Sequence, residues 1–144
     1  MSTALSDFNK NGSKRTAHRN LYSDLNIALP IHPALNDITP LKDIDAVKNS
    51  VKNLLMTNQF EKPFHPEIGS NITGYLFEPI DQITAVSLKG EIKRVLEEFE
   101  PRINVTRVQC FPDIDNNRYE VTVGFNVNYF PDEPEVNFYL ERLR

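Results

Sequence analysis

With 144 residues, 40% hydrophobic and 25% charged, the chain reads as one soluble domain with a single core, and no apolar run reaches the roughly 20 residues of a membrane span. A net charge of −4 divides into +3 over residues 1–20 and −7 over the rest, and so acidic a body argues against nucleic-acid binding. Cys110 is the sole cysteine, so no internal disulfide can form and a reducing compartment is expected.

Residues 1–20 carry Lys10, Lys14, Arg15 and Arg19 against Asp7, with little apolar material and no hydrophobic stretch of a secretory signal. A disordered basic arm is expected there, with the folded domain over residues 21–144. Leu21–Leu29 reads as a short extended lead-in, and Pro30, Pro33 and Pro40 keep residues 30–42 irregular. A helix follows, expected to be capped by Asp43 or Asp45, because Ile44, Val47, Val51, Leu54 and Leu55 fall on one helical face.

Between Phe60 and Pro79 the chain is broken by Pro63, Pro66, Gly69 and Pro79, yet it carries Phe60, Phe64, Ile68, Tyr75, Leu76 and Phe77. A solvated loop has no use for so much apolar area, so the segment is expected to pack on the body or on a partner. Ser70 or Asn71 is placed to cap a short helical piece through Phe77. A second long helix is predicted from about Asp81 to Phe99, with Leu88, Ile92, Val95, Leu96 and Phe99 on one face.

The remainder alternates with period 2. Tyr119, Val121, Val123, Phe125, Val127 and Tyr129 form the clearest strand signal in the chain. Before them, Ile103 and Val105 share one parity and Val108 and Cys110 the other, which a bulge near Arg107 would reconcile. Asp115-Asn116-Asn117 suits a hairpin turn, and Val136, Phe138 and Leu140 alternate in a last short strand. The predicted architecture is α+β, with two main helices packed on one face of a small antiparallel β-sheet.

The joint between the second helix and the strands is Glu100-Pro101-Arg102. Proline ends the helix and holds its predecessor extended, which sends the Glu100 and Arg102 side chains to the same side, about 7 Å apart. Glu97, Glu98 and Glu100 crowd a helix C-terminus, where the macrodipole disfavours them. Either Lys93, Arg94 and Arg102 neutralise them locally, or Glu100 and Arg102 await the ends of a helical bundle. An exposed pair of this kind predicts that Glu100→Arg leaves the domain folded.

Catalytic patterns are missing. His18, His32 and His65 lie apart from cysteine and from each other, no glycine cluster cradles phosphate, and Cys110 falls inside a predicted strand as a structural thiol. Glu67, Glu97, Glu98 and Glu100 are the carboxylates a glycosidase reading would need, but Lys93–Glu97 and Arg94–Glu98 read more simply as surface i,i+4 pairs. No cofactor, metal or catalytic residue is expected.

Taken in order, five segments make the chain resemble the sheath-initiator family of contractile phage tails. This is the baseplate wedge family of T-even-type phages, with a counterpart in type VI secretion baseplates. The segments are Leu21-Tyr22-Ser23-Asp24, Val47-Lys48-Asn49-Ser50-Val51 with Leu54-Leu55, and Lys62-Pro63-Phe64-His65-Pro66-Glu67-Ile68-Gly69, then Leu76-Phe77-Glu78-Pro79 and Phe99-Glu100-Pro101-Arg102-Ile103. The resemblance covers roughly residues 21–144.

It implies a non-enzymatic structural protein. Glu100, Pro101 and Arg102 would dock on the helical core bundle of the wedge, and Pro63, Phe64, Pro66, Glu67 and Gly69 would form a signature loop that is structural or a contact. By the same resemblance the sheet would nucleate the tail sheath by accepting a strand, with Val136, Phe138 and Leu140 in the strand where such an edge could lie. The implied partners are wedge core proteins, the sheath protein and, through the basic arm, tail tube or tube-initiator proteins. Neither a membrane nor a nucleic acid is among them. The implied location is the virion tail baseplate, reached from the host cytoplasm. Alternatives are a muramidase, since some family members have carried a lysozyme label, and a type VI secretion baseplate component.

Overall fold

The computed structural model describes residues 21–26, 29–31, 33 and 36–143. The basic arm, with His18, lies outside the described residues, as does His32. The lead-in forms β1 (Ser23–Asp24), which pairs antiparallel with β2 (Leu41–Lys42) just before α1 (Asp43–Met56). Ala46, Val47, Val51 and Leu55 bury one face of that helix, as the apolar spacing requires.

Its N-terminus departs from expectation. Lys42 occupies the cap position with no side-chain hydrogen bond. Asp43 instead uses Oδ1 to accept the backbone N–H groups of Leu21 at 2.8 Å and Tyr22 at 3.4 Å, while its own N–H donates to the Tyr22 carbonyl at 2.9 Å. The carboxylate thus fastens the lead-in to the helix rather than capping it.

After a loop, α2 (Ile72–Tyr75) is a single turn, and α3 (Gln82–Phe99) is the main helix. Asn71 precedes α2 without a side-chain cap, and buried Ser70 donates its hydroxyl to the Leu55 carbonyl at 2.8 Å. The expected cap by either residue is therefore absent, because Ser70 satisfies an orphan carbonyl at the end of α1 instead. Asp81 does cap α3, accepting from the Thr84 N–H at 2.7 Å.

The sheet has the order β3-β4-β5, with β3 at Ile103–Asp113, β4 at Arg118–Val127 and β5 at Glu135–Glu141, all antiparallel. Its register aligns Cys110, Val121 and Phe138 in one inward row and Val108, Val123 and Val136 in the next. The register shift between Val105 and Arg107 is the bulge that the parity change calls for. Central β4 buries Tyr119, Val121, Val123, Phe125 and Val127 almost completely. Tyr129 does not continue the alternation. The strand ends at Val127, and Tyr129 turns to φ 72° with its ring exposed.

The α+β expectation holds. Helix α3 lies on the inward face of the sheet, chiefly against β3, and α1 packs on α3. The Tyr119 hydroxyl donates to the Pro79 carbonyl and accepts from the Asp81 N–H, both at 3.3 Å, and so sets the start of α3 over β4. Cys110 is half-buried in β3, where desolvation pushes its thiol up to about 11, the mark of an inert packing residue.

The capped start of α3 and the uncapped start of α1 make a test. Asp81→Ala is expected to cost about 1 kcal/mol in urea unfolding through the lost cap. Asp45→Ala, which removes no cap bond, should stay within about 0.5 kcal/mol of the parent.

Candidate binding surface at the helix–strand joint

Helix α3 stops where proline dictates. The Glu100 N–H still donates to the Leu96 carbonyl at 3.0 Å, but Glu100 has left the helical region at φ −123° and ψ 77°. Glu100 and Arg102 do fall on the same side of the extended joint, and there they meet each other. Arg102 donates through Nε to Glu100 Oε1 and through Nη2 to Oε2, both at 2.6 Å. Ser50 of α1 closes the cluster, donating to Glu100 Oε2 and accepting from Arg102 Nη2, each at 2.8 Å. The Arg102 guanidinium carbon lies 5.5 Å from the centre of the Tyr22 ring, a cation–π distance, and the Tyr22 ring in turn faces Phe130 at 6.2 Å.

The pair is therefore an internal fastener first. Glu100 is only 4% exposed, so the sequence expectation of a freely presented carboxylate is corrected: its oxygens are engaged within the chain. Arg102 keeps about a third of its side chain open to solvent (33%). The crowded acids at the end of α3 resolve as local pairs. Lys93 meets Glu97, and Arg94 bridges Glu91 and Glu98.

Burial pushes the Glu100 carboxyl up, but hydrogen bonds from Arg102 and Ser50 outweigh it and leave the group below its ordinary value of 4.5. The hydrogen bond to Glu100, together with that carboxylate's charge, raises Arg102 against the opposing effect of burial.

Beside the joint opens a groove of about 450 Å³, whose lining includes Ser50 and Leu54 of α1, Ile68, Phe99 and Glu100. The loop after α1 contributes Glu61, Lys62 and Ile68 to the lining. The two stretches read as separate signatures in the sequence thus border one concavity.

The loop is tightly closed. The Ser70 N–H donates to the Thr57 carbonyl at 2.9 Å and the Phe60 N–H to the Pro66 carbonyl at 3.0 Å. Gly69 sits at φ 140°, and a Cβ there would lie 2.7 Å from the carbonyl carbon and oxygen of Asn58. Only glycine fits so close a backbone approach. Pro63, Phe64, Pro66 and Glu67 are all exposed, and Glu67 Oε1 lies within hydrogen-bond distance of His65 Nδ1 at 3.1 Å. Of the two expectations for this segment, packing on the body holds for Leu76 and in part for Tyr75 and Ile68; Phe60, Phe64 and Phe77 stand exposed.

Val136, Phe138 and Leu140 turn inward from β5, so what this strand offers outward is its backbone edge. The sheet has two such edges. On β3 the edge carries the bulge and Pro112, both within the pairing run, and these are devices that discourage further pairing. On β5 the run from Glu135 to Glu141 is unbroken.

Sequence reasoning missed Ser50 and Tyr22 as members of the cluster. Ser50 immediately precedes the core residue Val51, and Tyr22 lies in a lead-in with no periodicity, so only the fold joins them to Arg102.

A family model described as baseplate wedge protein gp25 matches residues 42–131. The chain is 29% identical over 115 residues to baseplate wedge protein gp25 of Enterobacteria phage T4, covering 80% of this chain and 86% of that protein. Among solved structures, a candidate tail lysozyme from Geobacter sulfurreducens aligns with TM-score 0.63 and 21% identity over 68% of this chain and 89% of that one. A chain of the anti-feeding prophage baseplate aligns with TM-score 0.65 and 19% identity over 77% and 89%.

Two outcomes are expected from the geometry. Glu100→Ala should destabilise the domain by about 3 kcal/mol in urea unfolding, because Arg102 and Ser50 lose their acceptor, and Glu100→Arg should cost at least as much rather than leaving the fold intact. A lowered pKa contributes stability that is full above the unfolded-state value, near 4.5, and is lost as pH falls through the folded-state value. The melting temperature should therefore fall on acidification from about pH 4.5 down to the lower folded-state value, and the decline should be shallower in Glu100→Gln.

Proposed function

The chain belongs to the baseplate wedge protein gp25 family, and we propose from that membership that it joins the wedge of a contractile tail baseplate to the sheath above it. In this reading the Glu100-Pro101-Arg102 joint faces the helical core of the wedge. The contact is made by the exposed part of the Arg102 guanidinium and by Tyr22, with Glu100 and Ser50 holding the guanidinium in position. Arginine so held can reach a carboxylate or the last carbonyls of a helix without losing side-chain freedom on binding. The sheath contact is strand addition at the open edge of β5.

The observation that carries the reading is the separation of the two surfaces. The joint opens β3, and the unbroken edge is β5, two strands away across the sheet, so one partner leaves the other surface free. The location that follows is the tail baseplate of the particle, with assembly in the host cytoplasm.

The role is structural rather than hydrolytic. A glycosidase needs one carboxyl group held protonated in a setting that raises its pKa. Glu100 and Glu67 are both held low, Glu100 by Arg102 and Ser50 and Glu67 by a backbone hydrogen bond and His65, and Glu97 and Glu98 lie in surface ion pairs. The likeness to the candidate tail lysozyme is one of fold.

The test uses photoreactive aromatic residues in place of two exposed rings, Tyr139 on β5 and Phe111 on β3, in cells assembling tails. The sheath subunit is expected to cross-link at position 139 and not at 111. Capture at 111 alone would move the accepting edge to β3, and capture at neither would remove strand addition from the reading. Folded protein is also expected to leave purified peptidoglycan intact, and clearing would restore the muramidase alternative.

A further inference from the structure

Phe60 is 82% exposed and Phe64 97%, on a loop whose backbone is otherwise internally bonded. Both residues sit in the left-handed region, at φ 66° and 67°, where a bulky side chain is disfavoured. Folding alone gains nothing from either choice, since water contacts the rings and the backbone is strained to place them. The surrounding bonds over-determine the conformation. Phe60 N–H is held by Pro66, His65 N–H by Lys62 and Ile68 N–H by His65, and Gly69 admits the close approach that shuts the loop. Strain maintained by its surroundings, with exposed aromatic rings at the strained points, is the pattern of a preorganised contact.

The neighbouring groove indicates what the contact is. Leu54, Ile68 and Phe99 are the apolar part of its lining, and Asp24 and Glu61 stand with them, Lys62 being the opposing charge; Phe60 and Phe64 flank this lining on the loop that contributes Glu61, Lys62 and Ile68. Its walls are α1 and a loop whose backbone groups bond one another, so an added strand would find no open edge. An element that satisfies its own backbone and offers an apolar stripe is required, which is an amphipathic helix.

We propose that Phe60 and Phe64 are aromatic anchors for an amphipathic helix of a wedge partner. That helix lies along the groove with its apolar stripe on Leu54, Ile68 and Phe99 and a lysine or arginine toward Asp24 and Glu61. This rests on the wedge reading above and adds a second, apolar contact continuous with the Arg102 joint.

The experiment compares the full-length chain with the double variant Phe60→Gly, Phe64→Gly. Each is titrated into purified wedge complex assembled without this protein, and each is also melted alone. Glycine accepts left-handed φ without a Cβ penalty, so the variant is expected to melt no lower than the parent while binding the wedge complex at least about tenfold more weakly. That opposite movement is one a merely structural pair of rings would not produce. Unchanged affinity overturns the anchor assignment and leaves the wedge reading standing. A parent chain that itself fails to bind overturns both. A variant that melts well below the parent assigns the rings to the fold. Sedimentation showing a parent dimer that the variant lacks assigns the loop to a second copy of this chain.

Discussion

One bidentate ion pair fixes how the parts of this domain meet. Glu100 and Arg102, the residues between the end of the main helix and the start of the sheet, lock that joint, and Ser50 extends the lock to α1. Tyr22, stacked on the guanidinium, brings in the lead-in strand. Three segments distant in sequence, the lead-in, α1 and the joint itself, thus converge on a single Glu100–Arg102 pair. Such a cluster is strong only while complete, because a buried carboxylate without its partners retains its full desolvation penalty. The proline between the two charged residues makes the arrangement cheap to form. It removes the helical alternative and leaves the extended geometry in which both side chains project together.

Much of the fold was legible because the relevant forces are local and periodic. The face of α3 from Leu88 to Leu96 and the buried row of β4 both follow from side-chain spacing, and the bulge follows from a parity change between Val105 and Val108. Illegible were the choices made by polar side chains with several possible acceptors. Asp43 had the position of a helix cap and instead bonds the lead-in; Ser70 had the same position before α2 and instead serves the end of α1. Short polar side chains hydrogen-bond whichever backbone group the tertiary fold brings near, so sequence alone cannot decide among them.

The joint was legible in its geometry and misread in its availability. Proline predicts that Glu100 and Arg102 face the same way, which they do. That they bond each other and bury the carboxylate goes with Ser50, which the packing of α1 on α3 places against both. The loop posed the opposite difficulty. Its apolar content called for cover, and the chain supplies cover for Leu76 but none for Phe60 or Phe64. Proline and glycine positions tell where such a loop turns, whereas which rings it turns outward depends on backbone bonds such as that from Phe60 to Pro66.

The unequal rims of the sheet have a consequence for stoichiometry. With Pro112 and a bulge blunting β3 while β5 runs unbroken, the strand addition proposed above would give each copy a valence of one. A subunit with two receptive rims could pair with its own kind without limit and grow into a fibril. A subunit with one can take up a single strand and is then saturated, so copies of this chain cannot polymerise through their sheets. On that proposal, growth beyond the first added strand would be carried by the strand's donor, with one starting point for each copy in place.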